Sequence, residues 1–449
     1  MRKKNKPYKI CHILKQFHIV AAMLLCLVAT CSFFACSDDD SQVIPNTKYV
    51  SDRTIMVYMV AENSLGIVKN ASGSAEKYSE SSVLTSDIRE MLNGMSNDTF
   101  PSTDRLIIYV DGVGLPRIYV LDKSVKGKNM ADLEPVYPYD EDVNSASVER
   151  LTQFVKYTKE KYPAKSYGLV MWSHGSGWIP STYAGDLVSA TEAANRSFGL
   201  DNGKDTNKDV GNQMDVAEMA RGLEEAGGVD FIFFDVCFMQ CVESAYALRH
   251  ATKEIVASPA EIPAPGANYT TMVPAMFRKD DCTEHMLSAY YKAYQTHANY
   301  GVIISAIKTD AIRDFASYMK SLVRAKKEEL LSLNKGAVLN YFLYGQWGVD
   351  AWTGQQTVKS PDFLDMQGVM KQVLDENEFE EWKEEAMKVV TCQHTARWYS
   401  AYKKGQIVVN DSQCCGMSMF IPFDVYTNDG YQYNADYMKT EWAQDVWND

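Results

Sequence analysis

Along the chain, short unbroken apolar runs alternate with stretches in which apolar residues recur every three or four positions. Thr54 to Val60 reads Thr-Ile-Met-Val-Tyr-Met-Val, a run with no polar face, as expected of a strand buried on both sides of a parallel sheet. Arg105 to Val110, Tyr167 to Trp172, Phe231 to Phe234, Glu254 to Ala257 and Gly301 to Ala306 are further strands of this kind. Between them the spacing turns helical. From Ser145 to Tyr162, Val148, Leu151, Phe154 and Val155 fall at helical spacing, and lysines gather at the C-terminal end, where the helix dipole favours them. Asp215 with Glu218 reads as a capping box for a helix running to Gly227. Val242 to Arg249 and Cys282 to His297 are also helical. Strands alternating with helices through right-handed crossovers predict an α/β fold, a mostly parallel sheet flanked by helices on both faces. Beyond Asp310 helices dominate, with one late strand from Met417 to Ile421. The expected division is therefore a sheet-forming domain at 53–309 and a helix-rich part at 310–449 packed on it.

The first 52 residues follow another pattern. Met1 to His18 carries six basic residues and no acid, Ile19 to Ala35 is almost continuously apolar or small, and Cys36-Ser-Asp-Asp-Asp40 follows. A basic segment before an apolar one, with no second span, reads as an export signal at 1–35. Ser37 to Tyr49 is polar and contains Pro45, so 36–52 reads as a tether. Phe33-Phe-Ala-Cys36 resembles a bacterial lipobox, with Cys36 as the lipidated residue and Val28-Ala-Thr-Cys31 as the alternative. The acidic run after Cys36 resembles the tag on surface lipoproteins of the Bacteroides group. The resemblance implies a lipid anchor in the outer membrane, facing the cell surface.

The chain has 449 residues, enough for one large α/β domain with additions or for two domains. A 46% hydrophobic content can fill a large core and excludes general disorder. The formal charge is −13; losing the six basic residues of the signal would make it −19. That balance argues against nucleic acid as a partner, since a basic face is needed to meet phosphates. Past the signal and Cys36, six cysteines remain: Cys237, Cys241, Cys282, Cys392, Cys414 and Cys415. Six is too sparse for a disulfide scaffold in a chain this long, and no Cys-x-x-Cys or His-x-x-x-His spacing supports zinc.

In such sheets, function sits at the carboxyl ends of the strands. Trp172-Ser-His-Gly-Ser-Gly-Trp178 follows one strand and Asp235-Val-Cys-Phe-Met-Gln240 the next. A histidine and a cysteine thus each end an apolar strand, one crossover apart. That arrangement suits nucleophilic catalysis, with Cys237 attacking and His174 serving as acid and base. Gly175 lets the backbone N–H approach a developing oxyanion closely.

These blocks resemble the clostripain family of cysteine peptidases, on the caspase-like fold shared with gingipains and separases. The similarity extends to Thr54-Ile-Met-Val-Tyr-Met-Val-Ala-Glu-Asn-Ser-Leu65, to Phe234-Asp-Val-Cys-Phe-Met239 and to Cys415-Gly-Met-Ser-Met-Phe-Ile-Pro422, so it runs roughly from Arg53 to the C-terminus. The resemblance implies an endopeptidase acting on proteins or peptides through a thioester, with no cofactor needed for the chemistry. It implies His174 and Cys237 as the catalytic pair and the backbone N–H groups of Gly175 and Cys237 as the oxyanion hole. It also implies Asp235 in the S1 pocket, favouring a basic P1 side chain. Where the family closes an acidic loop with Trp-Asp-Tyr, this chain has Ala267-Asn268-Tyr269. Asn268 therefore removes one S1 charge, and the expected preference for Arg or Lys is weaker than in the family at large.

Some members are matured by a cut between the two catalytic blocks, for which Arg196, Lys204 and Lys208 are the candidate positions. The loop at 201–211 also alternates oxygen-bearing side chains at Asp205, Asn207 and Asp209. Counted from Asp205 it fails the EF-hand pattern, with Val216 at the twelfth position, but the family resemblance keeps calcium as a candidate ligand there. Two other readings compete with the peptidase. One is a surface lipoprotein that keeps the fold for binding without catalysis, which the presence of both dyad residues disfavours. The other is a serine hydrolase using Ser173 or Ser176, which lacks the Gly-x-Ser-x-Gly elbow.

Overall fold

The computed structural model describes residues 51–448, except 78, 98–99, 102, 182–196, 202, 204–210, 344–347, 350–355, 358–360, 402 and 428–431. The export signal with Cys31, the tether from Cys36 to Val50, the candidate cleavage positions Arg196, Lys204 and Lys208, and the candidate calcium ligands Asp205, Asn207 and Asp209 lie outside the described residues, whereas Ser51 and Asp52, expected in the tether, already belong to the first strand.

The architecture is a layered α/β/α sandwich around a nine-stranded sheet. Its strands are β1 (Ser51–Val60), β2 (Arg105–Asp111), β3 (Arg117–Leu121), β4 (Tyr137–Pro138), β5 (Ala164–Trp172), β8 (Val229–Asp235), β9 (Thr252–Ala257), β10 (Ile303–Lys308) and β12 (Val390–His394). They lie in the order β12-β10-β9-β8-β5-β1-β2-β3-β4. The five strands β2, β1, β5, β8 and β9 are mutually parallel. The expected apolar runs are explained by burial on both faces. In β1, Ile55, Val57 and Met59 point to one layer while Met56, Tyr58 and Val60 point to the other, and all six are fully buried.

One layer packs α1 (Val83–Met95), α5 (Tyr269–Met276) and α6 (Cys282–Tyr294) against the sheet through Ile88, Met91, Met272, Val273, Met286 and Leu287. The opposite layer holds α2 (Val148–Lys161), α3 (Val216–Glu225), α4 (Val242–Ala247) and α7 (Ile312–Ala325). Helix α2 buries Leu151, Phe154 and Val155, and Ser147 caps it by accepting from the Arg150 N–H. The capping box expected at Asp215 does not form. Asp215 occupies the N-cap position of α3, but its carboxylate takes the Ser181 N–H at 2.7 Å while the Ser197 hydroxyl takes the Val216 N–H at 2.9 Å. A residue from a distant loop has replaced the local partner.

The sheet departs from parallel at both edges. Strand β10 runs antiparallel to β9 because two helices, α5 and α6, lie between them in sequence and return the chain to the end it left. Strand β12 pairs antiparallel with β10, so the part beyond Asp310 supplies an edge strand, and with the hairpin of β13 (Arg397–Ser400) and β14 (Gly405–Val408) it holds more than the one late strand expected. The late strand is shorter than expected and elsewhere. Only Ser418–Met419 (β15) is extended, pairing with Leu364–Asp365 (β11), and it bridges to Cys241 outside the main sheet. Among the described residues, no helix is long and apolar enough to cross a membrane.

From β1 the chain leaves to β2 on one side, whereas β5, β8 and β9 line up on the other. The carboxyl ends of β1 and β5 therefore form the switch point at which ligands bind in open α/β sheets.

Candidate active site

The parallel pairing of β5 with β8 is in register to the last residue, with Trp172 opposite Asp235. His174 and Cys237 each stand two residues further on. Adjacent parallel strands are about 4.8 Å apart, so this register alone brings the imidazole and the thiol to neighbouring positions at one edge of the switch-point crevice.

The histidine turn is anchored from several sides. The Ser173 hydroxyl donates to the Val60 carbonyl at 2.7 Å, tying the ends of β5 and β1 together. The strand β6 (Phe198–Asp201) then runs alongside: Gly199 N–H donates to the His174 carbonyl at 2.9 Å and Ser176 N–H to the Ser197 carbonyl at 3.3 Å. In an antiparallel bridge of this kind the intervening residue directs its N–H the opposite way, so the Gly175 N–H faces away from β6. A side chain at Gly175 has no room, since its Cβ would lie 2.3 Å from Val236 Cγ1. His174 is half-buried, and its Nε2 lies 3.2 Å from the Ser64 hydroxyl. Ser64 belongs to the turn after β1, which Asn63 shapes by donating to the Val60 and Leu200 carbonyls at 3.0 Å each. Sequence reading did not mark Ser64; the quoted block Ala-Glu-Asn-Ser-Leu65 held it, with nothing local to mark its contact with His174.

The turn that carries Cys237 is tighter. Cys237 is half-buried and its sulfur accepts from the Ile262 N–H at 3.4 Å. Phe238 has φ of 65°, a left-handed conformation that costs a non-glycine residue roughly 1–2 kcal/mol. It is held there by its N–H donating to the Ala260 carbonyl at 3.1 Å and by its ring packing on Phe342 and Phe363. Helix α4 starts at Val242, so Cys237 precedes it by five residues and lies in the turn, away from the helix N-terminus. Cys241 occupies the N-cap instead, 1% exposed, its thiol donating to Ser244 at 3.0 Å and its pKa pushed far up by burial. It is a core thiol.

The segment carrying β15 braces this turn. Ser418 N–H donates to the Gln240 carbonyl at 3.1 Å, and Phe420 N–H to Glu243 at 2.8 Å. Glu243 is 2% exposed, and burial pushes its pKa up to about 7. It lies in the first turn of α4, and no local motif marked it.

Asp235 is 3% exposed. Its oxygens accept from the Ala267 N–H at 3.1 and 3.2 Å and from the Tyr269 hydroxyl at 2.9 Å, so the carboxylate organises the 266–269 loop. Burial pushes its pKa up to about 6, only partly offset by those donors. A Cβ on Gly266 would lie 2.7 Å from Asp235 Oδ2. Asn268 is exposed and caps α5, accepting from the Thr271 N–H at 3.3 Å. Two further acids from α1 stand nearby and were not read from sequence. Glu90 accepts from the Tyr269 N–H at 2.8 Å, and Asp87, its pKa pushed well above the usual carboxylate range mainly by burial, accepts from the Trp172 indole at 2.7 Å. Among the described residues, no set of three or more His, Cys, Asp or Glu is arranged to hold a metal. A separate cleft of about 1040 Å³ opens at the opposite, amino-terminal pole of the sheet, bordered by Arg53, Gly228 and Lys308; it does not include the dyad.

The sheet order and the paired strand ends define a caspase-like α/β protein. The family model described as the clostripain family matches residues 57–448, and the chain belongs to that family. Clostripain of Hathewaya histolytica is 28% identical over 241 residues, which are 48% of this chain and 40% of clostripain, so the match spans less than half of that relative. A secreted C11 cysteine protease from Bacteroides thetaiotaomicron, solved with an irreversible peptide inhibitor, superimposes with a TM-score of 0.66 at 25% identity, covering 89% of this chain and 100% of its own. An inactive zymogen C11 protease from Parabacteroides distasonis gives the same TM-score and identity over 89% and 99% of the two chains.

The contact at Gly175 makes a test. Gly175→Ala should lower kcat/KM at least tenfold without unfolding the protein, because the added methyl separates the histidine turn from the end of β8. Val236→Ala in the same chain should recover part of the loss, and a double-mutant cycle of peptide hydrolysis measures the coupling.

Proposed function

We propose that the protein is an exported cysteine endopeptidase cutting protein or peptide substrates through Cys237 and His174, and that a lipid on Cys36 holds it at the outer membrane. The observation that carries the catalytic reading is the in-register ending of β5 and β8, which puts the two side chains on neighbouring strand ends. In this reading His174 takes the thiol proton and the Cys237 thiolate attacks the scissile carbonyl. The N–H groups of Gly175 and Cys237 stabilise the oxyanion, and His174 returns the proton to the leaving amine. A water activated by the same imidazole then hydrolyses the thioester. The Ser64 hydroxyl keeps the ring turned for both transfers.

Cys237→Ala and His174→Ala should each reduce peptide hydrolysis ~10³-fold or more, whereas Cys241→Ala should retain most of it. A peptidyl electrophile should label Cys237 and spare the buried Cys241, read by mass spectrometry. Loss of activity in Cys241→Ala but not in Cys237→Ala would assign the wrong thiol.

For specificity we propose a basic P1 preference weaker than is typical of the family. Asp235 supports it through charge, with Glu90 adding to the same field, but Asp235 is already occupied by Ala267 and Tyr269 and Asn268 is uncharged. With a pKa near 6, Asp235 is neutral below that value and charged above it. The ratio of kcat/KM for Arg or Lys over neutral P1 residues should therefore rise as pH increases from 5 to 7.5. Asp235→Asn should flatten that rise. Asn268→Asp, which preserves the cap, should sharpen the preference for Arg about tenfold, equivalent to about 1.4 kcal/mol.

Localisation is tested by fractionation. Cys36→Ala, or Cys31→Ala if that site is used, should release the protein from membranes, since a single lipidated terminus anchors without spanning. Membrane retention of both variants, with no fatty-acid label on the wild type, would remove the anchor.

A further inference from the structure

The three cysteines near the C-terminus take no part in the proposed reaction, yet two of them meet. Cys392 lies on edge strand β12, paired with Ser305 of β10. Cys414 lies in the loop that leads into β15. Its side chain and that of Cys392 line one cavity of about 410 Å³ with Tyr291, His394 and Asp411, and the neighbouring Cys414 thiol, together with burial, pushes the Cys392 thiol well above the usual thiol range. The same two segments touch twice more: His394 Nε2 is 3.2 Å from Asp411 Oδ1, and a Cβ on Gly416 would lie 2.4 Å from Cys392 Sγ. The Ser305 hydroxyl, donating to the Gly416 carbonyl at 2.5 Å, fixes the loop against the sheet. Cys415 is directed elsewhere, its thiol donating to the Met417 carbonyl at 3.6 Å. All six described cysteines are free thiols.

We propose that Cys392 and Cys414 form a thiol–disulfide exchange site whose substrate is a low-molecular-weight disulfide. The half-buried Cys392, once deprotonated, attacks one sulfur of that disulfide, forming a mixed disulfide and expelling the first small thiol. The Cys414 thiolate then attacks Cys392 Sγ, closing the Cys392–Cys414 bond and expelling the second. Two protein thiols are oxidised, the small disulfide is reduced to two thiols, and the two protons pass to the thiols released. The shared cavity gives the small disulfide access to both thiols, and the contacts of His394 with Asp411 and of Cys392 with Gly416 hold the two segments that carry them side by side.

The bond would join the sheet edge to the loop whose continuation braces the nucleophile turn through Ser418 and Phe420. Closing the intervening segment restricts the unfolded chain more than the folded one. The oxidised form should therefore melt at a higher temperature.

The test uses the full chain carrying Cys237→Ala, so that the exchange is read separately from peptidase activity. After incubation with glutathione disulfide, thiol titration should fall by two and peptide mapping should find a Cys392–Cys414 cross-link, with a raised Tm that dithiothreitol reverses. Cys415→Ser should still form the bond, while Cys392→Ser and Cys414→Ser should not. A Cys414–Cys415 bond, stable glutathione adducts without closure, or no change in thiol count would each overturn the proposal. If either serine variant fails to fold, mapping of the Cys415→Ser chain still decides it.

Discussion

The placing of His174 beside Cys237 depends on the register between β5 and β8. A parallel ladder repeats every residue pair without choosing an endpoint, and side chains buried on both faces make a slip costly. Here Gly168 accommodates the ring of Phe231 directly opposite it; a Cβ on Gly168 would lie 2.2 Å from the ring. A one-residue slip would set that ring against Leu169 or Tyr167 and drive it into a side chain. The same slip would pull His174 and Cys237 out of step by about 3.3 Å. The glycine in the middle of the strand thus helps to set the spacing of two groups at its end.

Register brings the two groups close, but it does not hold the turns in which they sit. Those turns are held by segments remote in sequence: the loop after β9 receives the Phe238 and Gln240 N–H groups, Ser197 just before β6 receives the Ser176 N–H, and the C-terminal segment donates to the Gln240 carbonyl and to Glu243. The region beyond Asp310 is therefore part of the architecture of the nucleophile turn. The left-handed Phe238 persists because its backbone and ring are both held by such distant partners.

This division explains what could be read from the sequence. Apolar runs report burial, so β1, β2, β5, β8 and β9 were legible, as were the helices with a clear apolar face. The Cys/His pair was legible because strand ends can be located from the runs that precede them. Features decided by long-range partners were not legible. Asp215 looked like a cap until Ser197 took that role, and Met417 to Ile421 looked like a sheet strand although its backbone serves the nucleophile turn. The antiparallel direction of β10 depended on counting two helices where a single crossover was expected. Glu90, Asp87 and Glu243 sit on ordinary amphipathic helices, and only the fold shows which residues face inward toward the site.

The inward acids also show what such organisation costs. Asp235, Glu243 and Asp365 are each buried, with pKa values pushed up to about 6, 7 and 6. Each holds a backbone segment near the site: Asp235 the 266–269 loop, Glu243 the Phe420 N–H, and Asp365 the N–H groups of Cys415 and Gly416 together with the Tyr341 hydroxyl. Their folded pKa values exceed the unfolded ones, so the native state binds more protons between the two. The resulting penalty is absent below the unfolded values near 4 and fully present above the folded ones near 6 to 7, on the order of 3 kcal/mol for each group. Hydrophobic side chains of similar volume would avoid that cost. They could not accept from the N–H groups of loops that have no strand partner, and an unsatisfied buried N–H costs about 1–3 kcal/mol. Asp235 and Asp365 each satisfy at least two donors at once, so the exchange comes out close to even while giving the loops around Cys237 a single arrangement.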